Sequence, residues 1–132
     1  MITVYGIKNC DTCRKALKWL SVEGIEHKFV DFRKDGLNKT TIEGWVEEIG
    51  IDTLVNRRGT TWRKLPKADQ ADLETGNAST IIAENPTLIK RPIFDVGQRR
   101  VVGFANKTQD TLRAFRELSD SLVSSFNTQK DY

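Results

Sequence analysis

Residues 4–20 read VYGIKNCDTCRKALKWL, a short apolar run that passes through a turn and two cysteines into a stretch of helical periodicity. Ile2 to Tyr5 is β-branched and aromatic and ends at Gly6, the pattern of a short buried strand. After the turn, Asp11 or Thr12 is placed to cap a helix, and Cys13, Ala16, Leu17 and Leu20 recur at i, i+3, i+4 and i+7. Gly24 closes that helix, and Ile25 to Phe32 reads as a second strand. Strand, helix and strand in so few residues predict a right-handed βαβ unit with parallel strands, because a parallel pair needs a crossover between them.

Further along, Thr40 and Glu43 have the spacing of a capping box before a helix whose Ile42, Trp45, Val46 and Ile49 face inward, with Gly50 past its end. Pro66 starts a short polar helix, and Ala78, Ile81 and Ile82 lie in another that stops at Asn85-Pro86. Residues 38–86 are therefore expected to form a helical insertion. RPIFDV (91–96) and RVVGF (100–104) predict a hairpin around Gly97-Gln98. Thr108 is expected to cap a last helix with Leu112, Phe115, Leu118 and Leu122 inward, and residues 121–132 to form a flexible tail. The order βαβ, helical segment, ββα predicts the α/β class and a thioredoxin-like fold with extra helices inserted between its halves, one domain over residues 1–120.

A chain of 132 residues buries enough surface to fold without a disulfide staple, which leaves both cysteines free for chemistry. The net charge of +3 is spread along the sequence instead of gathered in a tail, so nucleic acid is not an expected partner. No basic and apolar leader opens the sequence, and no stretch approaches the ~20 apolar residues that span a bilayer. A soluble, monomeric protein of a reducing cytoplasm is expected, where a close cysteine pair serves catalysis or metal binding more often than structure.

Cys10 sits where the chain leaves a strand and enters a helix, so unpaired backbone N–H groups and the helix dipole favour its anion. Lys8 and Arg14 are close in sequence. The thiolate is the nucleophile, and an unperturbed thiol titrates near roughly 8.5, so a depressed value is expected at Cys10. Cys13 lies one helical turn later on the inward face, able to attack a mixed disulfide on Cys10 but poorly exposed to an outside partner. Against this stands the plainer reading, in which Cys13 is a small buried hydrophobe and Cys10 an incidental loop residue. A zinc site needs about four ligands, and beyond the cysteines the chain has one histidine, His27, in a strand, so no metal is expected.

Pro92 occupies the place where a thioredoxin-like fold carries a cis proline facing the cysteine turn. That placement brings Arg91 next to Cys10, where its guanidinium lowers the thiol further and binds a carboxylate, phosphate or similar oxyanion. Arg57 and Arg58 precede GTTWRKL in the insertion, and Arg99 and Arg100 lie in the hairpin. Trp19, Trp45 and Trp62 are expected to be core.

The chain resembles the ArsC/Spx family of thioredoxin-fold proteins, and within it the YffB group of ArsC-like thiol reductases. The resemblance runs to about Leu118 and rests on YGIKNCDTCRKA, DFRKDGL, NRRGTTWRKL and ENPTLIKRPIF leading to VVGF. It implies that Cys10 is the catalytic cysteine, with Arg58 and Arg91 as anion-binding partners. A third such arginine of arsenate reductases lies in the hairpin, with Arg99 or Arg100 as its approximate counterpart. In those reductases the cysteine attacks arsenate and glutathione then attacks the adduct, but a serine usually stands where this chain has Cys13. The implied function is a glutathione-dependent thiol oxidoreductase with Cys13 as resolving thiol, glutathione as co-substrate, glutaredoxin as partner and no tightly bound cofactor. Arsenate reduction and Spx-like redox sensing through RNA polymerase are the alternatives. The expected substrate-binding residues are Lys8, Asn9, Thr12 and Arg14 of the turn, with Arg58, Arg91, Pro92, Arg99 and Arg100.

Overall fold

A four-stranded mixed sheet in the order β2-β1-β3-β4 organises the chain. The structure, a computed structural model, describes the backbone of residues 1–130 and the side chains of residues 1–118. Strand β1 (Ile2–Gly6) leads through helix α1 (Asp11–Val22) to β2 (His27–Asp31), with β1 and β2 parallel from Ile2 opposite His27 to Gly6 opposite Asp31. Helices α2 (Phe32–Asp35), α3 (Lys39–Ile49), α4 (Ile51–Leu54), α5 (Thr60–Lys64), α6 (Lys67–Asp72) and α7 (Ala78–Glu84) follow, then a 3-10 turn at Pro86–Leu88. Strands β3 (Ile93–Asp95) and β4 (Arg100–Val102) form an antiparallel hairpin, β3 lies antiparallel to β1, and α8 (Asn106–Lys130) ends the order. This is the α/β, thioredoxin-like arrangement.

Alternation along the strands divides the core between the two faces of the sheet. Ile2, Val4 and Phe94 point to one face, where Ala16 and Leu20 of α1 and Leu112 of α8 cover them. Ile93, next to Phe94, points to the other, where Phe32, Ile42, Trp45, Leu54, Ile82 and Leu88 close over it. Fully burying each such side chain contributes about 1.5–3 kcal/mol. The helices between β2 and β3 thus supply the second layer of the core.

Several local expectations are corrected. Helix α1 is capped by Cys10 itself, in extended conformation at φ −99 and ψ 122, and not by Asp11 or Thr12. Helix α3 is capped by Asn38, whose side-chain oxygen accepts from the Thr40 N–H at 3.0 Å, so Thr40 lies inside the helix and forms no box with Glu43. Helix α8 begins at Asn106, which places Thr108 in its first turn, buried. Leu118 is 56% exposed, because α8 has by then passed the end of α1, where Arg116 donates to the Glu23 carbonyl at 2.8 Å. Trp45 is core as expected, whereas Trp19 and Trp62 are only half-buried. The stretch read as a tail, 121–132, has helical backbone as far as Lys130; its side chains, Leu122 included, lie outside the described residues.

Candidate active site

The end of β1 delivers Cys10. A tight turn, closed by the Cys10 N–H donating to the Ile7 carbonyl at 3.2 Å, reverses the chain into α1, where Cys10 becomes the N-cap. Its half-buried sulfur therefore sits at the end of a twelve-residue helix, where peptide N–H groups have no carbonyl partner. The turn is held from the side by Asp31, which the sequence reading missed. Its carboxylate accepts from the Lys8 N–H at 3.1 Å and from the Arg33 and Lys34 N–H groups at 3.0 and 3.2 Å, so one side chain caps α2 and anchors the cysteine turn. Burial pushes the Asp31 carboxyl up, but these three donors outweigh it and leave it below its ordinary value. The DFRKDGL block carried that signal, since an acid at a strand end before a short helix has an N-cap's spacing.

Cys13 is fully buried one turn further along α1. Burial above all pushes its thiol up to about 11, with the Cys10 sulfur adding to the rise. At neutral pH Cys13 therefore keeps its proton and donates it. For Cys10, burial again acts upward, but the Cys13 backbone N–H, the Cys13 thiol and the Arg91 guanidinium together outweigh it, and the thiol falls below its ordinary value. The close fit depends on Gly6: a Cβ there would lie 2.6 Å from Cys13 Sγ and 3.3 Å from the Phe29 ring. Gly6 thus matters less as the end of a strand than as the gap that admits a sulfur.

Arg91 arrives from the opposite side of the turn. The Arg91-Pro92 peptide is cis, Pro92 is buried, and its carbonyl accepts from the Gly103 N–H at 2.8 Å. Gly103 has φ +86, a conformation costly for any residue with a Cβ, so glycine suits the position that secures the proline. Arg91 Nη1 donates to the carbonyls of Thr87 at 3.0 Å and Ile89 at 3.3 Å. Its Nε is buried without a partner, a state that costs about 1–3 kcal/mol for an ordinary polar group. A planar fork held at one nitrogen, whose charge lowers the Cys10 thiol, gives the turn a fixed cation.

The remaining candidates are less closely gathered. Lys8, Asn9 and Thr12 are exposed around the turn, and Arg14, exposed as well, pairs with Asp11. Arg58 is exposed and makes no ion pair among the described residues; its backbone N–H donates to Asn56 Oδ1 at 3.0 Å. Its turn is fastened to the segment before Arg91 by Asn56 N–H to the Leu88 carbonyl and Lys90 N–H to the Leu54 carbonyl, both 2.8 Å. Arg57 is occupied by Asp52 and Glu74 at 2.7 and 2.8 Å and lies over the Trp62 ring. The hairpin arginines are a correction. Ile93 pairs with Tyr5 beside the cysteine turn, but Asp95 pairs with Thr3 and Arg100 with Asp95, so Arg99 and Arg100 lie toward the opposite end of the sheet. Arg100 is also occupied, by Glu48 at 3.1 Å and Asp95 at 3.6 Å. Proximity of the hairpin's first residue, Pro92, to the site does not extend to its tip.

Among the described residues no group of three or more His, Cys, Asp or Glu side chains is placed to hold a metal, and the His27 ring nitrogen Nδ1 meets the Ile25 carbonyl at 2.8 Å. No helix of the described residues is long and apolar enough to cross a membrane.

The model of the ArsC family matches residues 5–112. An uncharacterized protein of Haemophilus influenzae is 50% identical over 107 residues, 81% of this chain and 94% of the relative. The global transcriptional regulator Spx of Streptococcus agalactiae serotype V is 32% identical over 117 residues, 87% of this chain and 82% of the regulator. Among solved structures, the YFFB protein matches with a TM-score of 0.79 at 37% identity, covering 85% of this chain and 98% of its own. An arsenate reductase (ArsC) related protein from Brucella melitensis matches with a TM-score of 0.69 at 35% identity, covering 83% of this chain and 92% of its own.

Proposed function

Because this chain belongs to the ArsC family, we propose that it is a glutathione-dependent thiol oxidoreductase in which Cys10 is the nucleophile and Arg91 binds the anionic group of the substrate. The observation that supports this reading is the half-buried Cys10 sulfur, its thiol lowered, beside a guanidinium whose buried Nε has no partner. The Cys10 thiolate attacks one sulfur of a glutathione disulfide; the new S–S bond forms as the old one breaks, and the departing glutathione thiolate takes a proton from solvent. Arg91, half-buried at the turn, then serves as the cation for a glutathione carboxylate, and Arg58 is the exposed cation on the neighbouring turn. In the mixed disulfide Cys10 is no longer charged, which removes a cause that holds the Cys13 proton and prepares Cys13 to displace glutathione. On this reading the compartment is the reducing cytoplasm and glutaredoxin the electron partner.

Incubation of reduced protein with oxidised glutathione, followed by mass spectrometry of the intact chain and its peptides, tests the reading. A glutathione adduct on Cys10 is expected, accumulating in Cys13→Ser. Absence of the adduct from both proteins overturns it. The Arg91 guanidinium that lowers the Cys10 thiol also favours a second reading, reduction of an oxyanion such as arsenate. A coupled assay with glutathione and glutaredoxin decides, and turnover no greater than in Cys10→Ser rejects it. The 32% identity with Spx supports a third, a redox-sensing partner of RNA polymerase, which requires polymerase capture that differs between oxidised and reduced protein.

A further inference from the structure

The GTTWRKL stretch forms α5, remote in sequence from both Cys10 and Arg91. Its Thr61 hydroxyl lies 2.7 Å from the hydroxyl of Thr87, and the pair is partly buried. Thr87 belongs to the 3-10 turn at Pro86–Leu88, and its backbone carbonyl is the nearer of the two acceptors holding Arg91 Nη1. The other acceptor, Ile89, bridges Val55. The insertion therefore grips the Thr87–Ile89 segment at two points, one through backbone and one through these two hydroxyls, and that segment grips the guanidinium.

An arginine side chain has four rotatable bonds and loses much rotamer freedom when fixed. Holding its Nη1 between two carbonyls fixes the plane of the fork only if the carbonyls themselves stay in place. A 3-10 turn of three residues has little rigidity of its own. A hydrogen bond across 26 residues of sequence supplies what the turn lacks.

We propose that Thr61 and Thr87 are positioning residues for Arg91: their hydroxyl pair fixes the turn whose carbonyls aim the guanidinium at Cys10. The inference rests on the reading that Arg91 serves Cys10, and deepens it by making the inserted helix α5 a working part of the site.

The test follows the pH dependence of Cys10 alkylation by iodoacetamide, located by peptide mass spectrometry, which requires no knowledge of the substrate. Thr61→Val keeps the shape and removes the hydroxyl; its alkylation midpoint is expected to move upward, while Thr61→Ser, which keeps the hydroxyl, stays with the wild type. In an Arg91→Ala background, Thr61→Val is expected to add no further shift, since the group it positions is gone. A wild-type midpoint in folded Thr61→Val, or a shift that adds in full to that of Arg91→Ala, overturns the proposal. Should Thr61→Val fail to fold, Thr87→Val removes the other hydroxyl and is decided by the same two outcomes. The two readings fail separately: a protein that forms no glutathione adduct can still show the Thr61–Arg91 coupling, and one that forms the adduct can lack it.

Discussion

At the scale of single residues, the two sulfurs divide the labour because their surroundings differ. Cys13 is fully enclosed and holds its proton; Cys10, at the helix end, receives that proton's hydrogen bond and the charge of Arg91. Rapid alkylation of Cys10 should thus persist below the ordinary thiol range of roughly 8.5, and Arg91→Ala should move its midpoint upward. Iodoacetamide capture measured across pH checks both; a midpoint unaltered by the substitution contradicts the assigned role. Gly6 yields a second expectation. Gly6→Ala drives a methyl against Cys13 Sγ, so the variant should lose about 1–3 kcal/mol in denaturant unfolding. Adding Cys13→Ala should restore part of that loss, and a pair of effects that simply sum would place the strain elsewhere.

At the scale of elements, Asp31 joins three pieces of backbone: the cysteine turn, the end of β2 and the start of α2. Asp31→Ala should cost about 0.5–2 kcal/mol, the usual range for a lost cap. The sign of its pH dependence follows from the lowered carboxyl. The stabilisation is complete above the carboxyl's unfolded value of roughly 3.9 and is lost as pH falls through the lower folded value. Melting temperatures of wild type and Asp31→Ala should therefore differ at pH 7 and converge in strong acid; a constant gap would assign the effect to something other than the charge. Elements also mark where sequence reasoning stops. The strands, α1, α3 and α7 were legible because their apolar residues recur with the period of their structure, as Ala16 and Leu20 or Ala78 and Ile82 do. Caps were not, because Thr40 and Asn38 are both competent and the choice depends on backbone angles that no spacing reveals. Leu118 has the right period yet stays mostly exposed, because burial needs a packing partner as well as a period.

At the scale of the whole molecule, the sheet separates residues that lie close in sequence. Arg91 and Arg100 are nine positions apart, yet the β3–β4 hairpin carries one to the cysteine end and the other toward the opposite end. Double substitution Arg99→Ala with Arg100→Ala should leave the alkylation midpoint of Cys10 where it is, whereas Arg91→Ala moves it; a comparable shift in both would refute this geometry. The site was legible in part for the same reason. Cys10, Cys13, Arg91 and Pro92 follow from local order and one topological rule, while Asp31, Thr61 and Thr87 come together only through tertiary packing. Glu48 illustrates a final consequence. Strand β4 forms a rim of the sheet, and the Glu48 carboxylate accepts its Arg100 amide at 2.8 Å. A donor that would otherwise invite a stray strand from another molecule is already engaged, so this border resists aggregation by the same contact that neutralises its arginine.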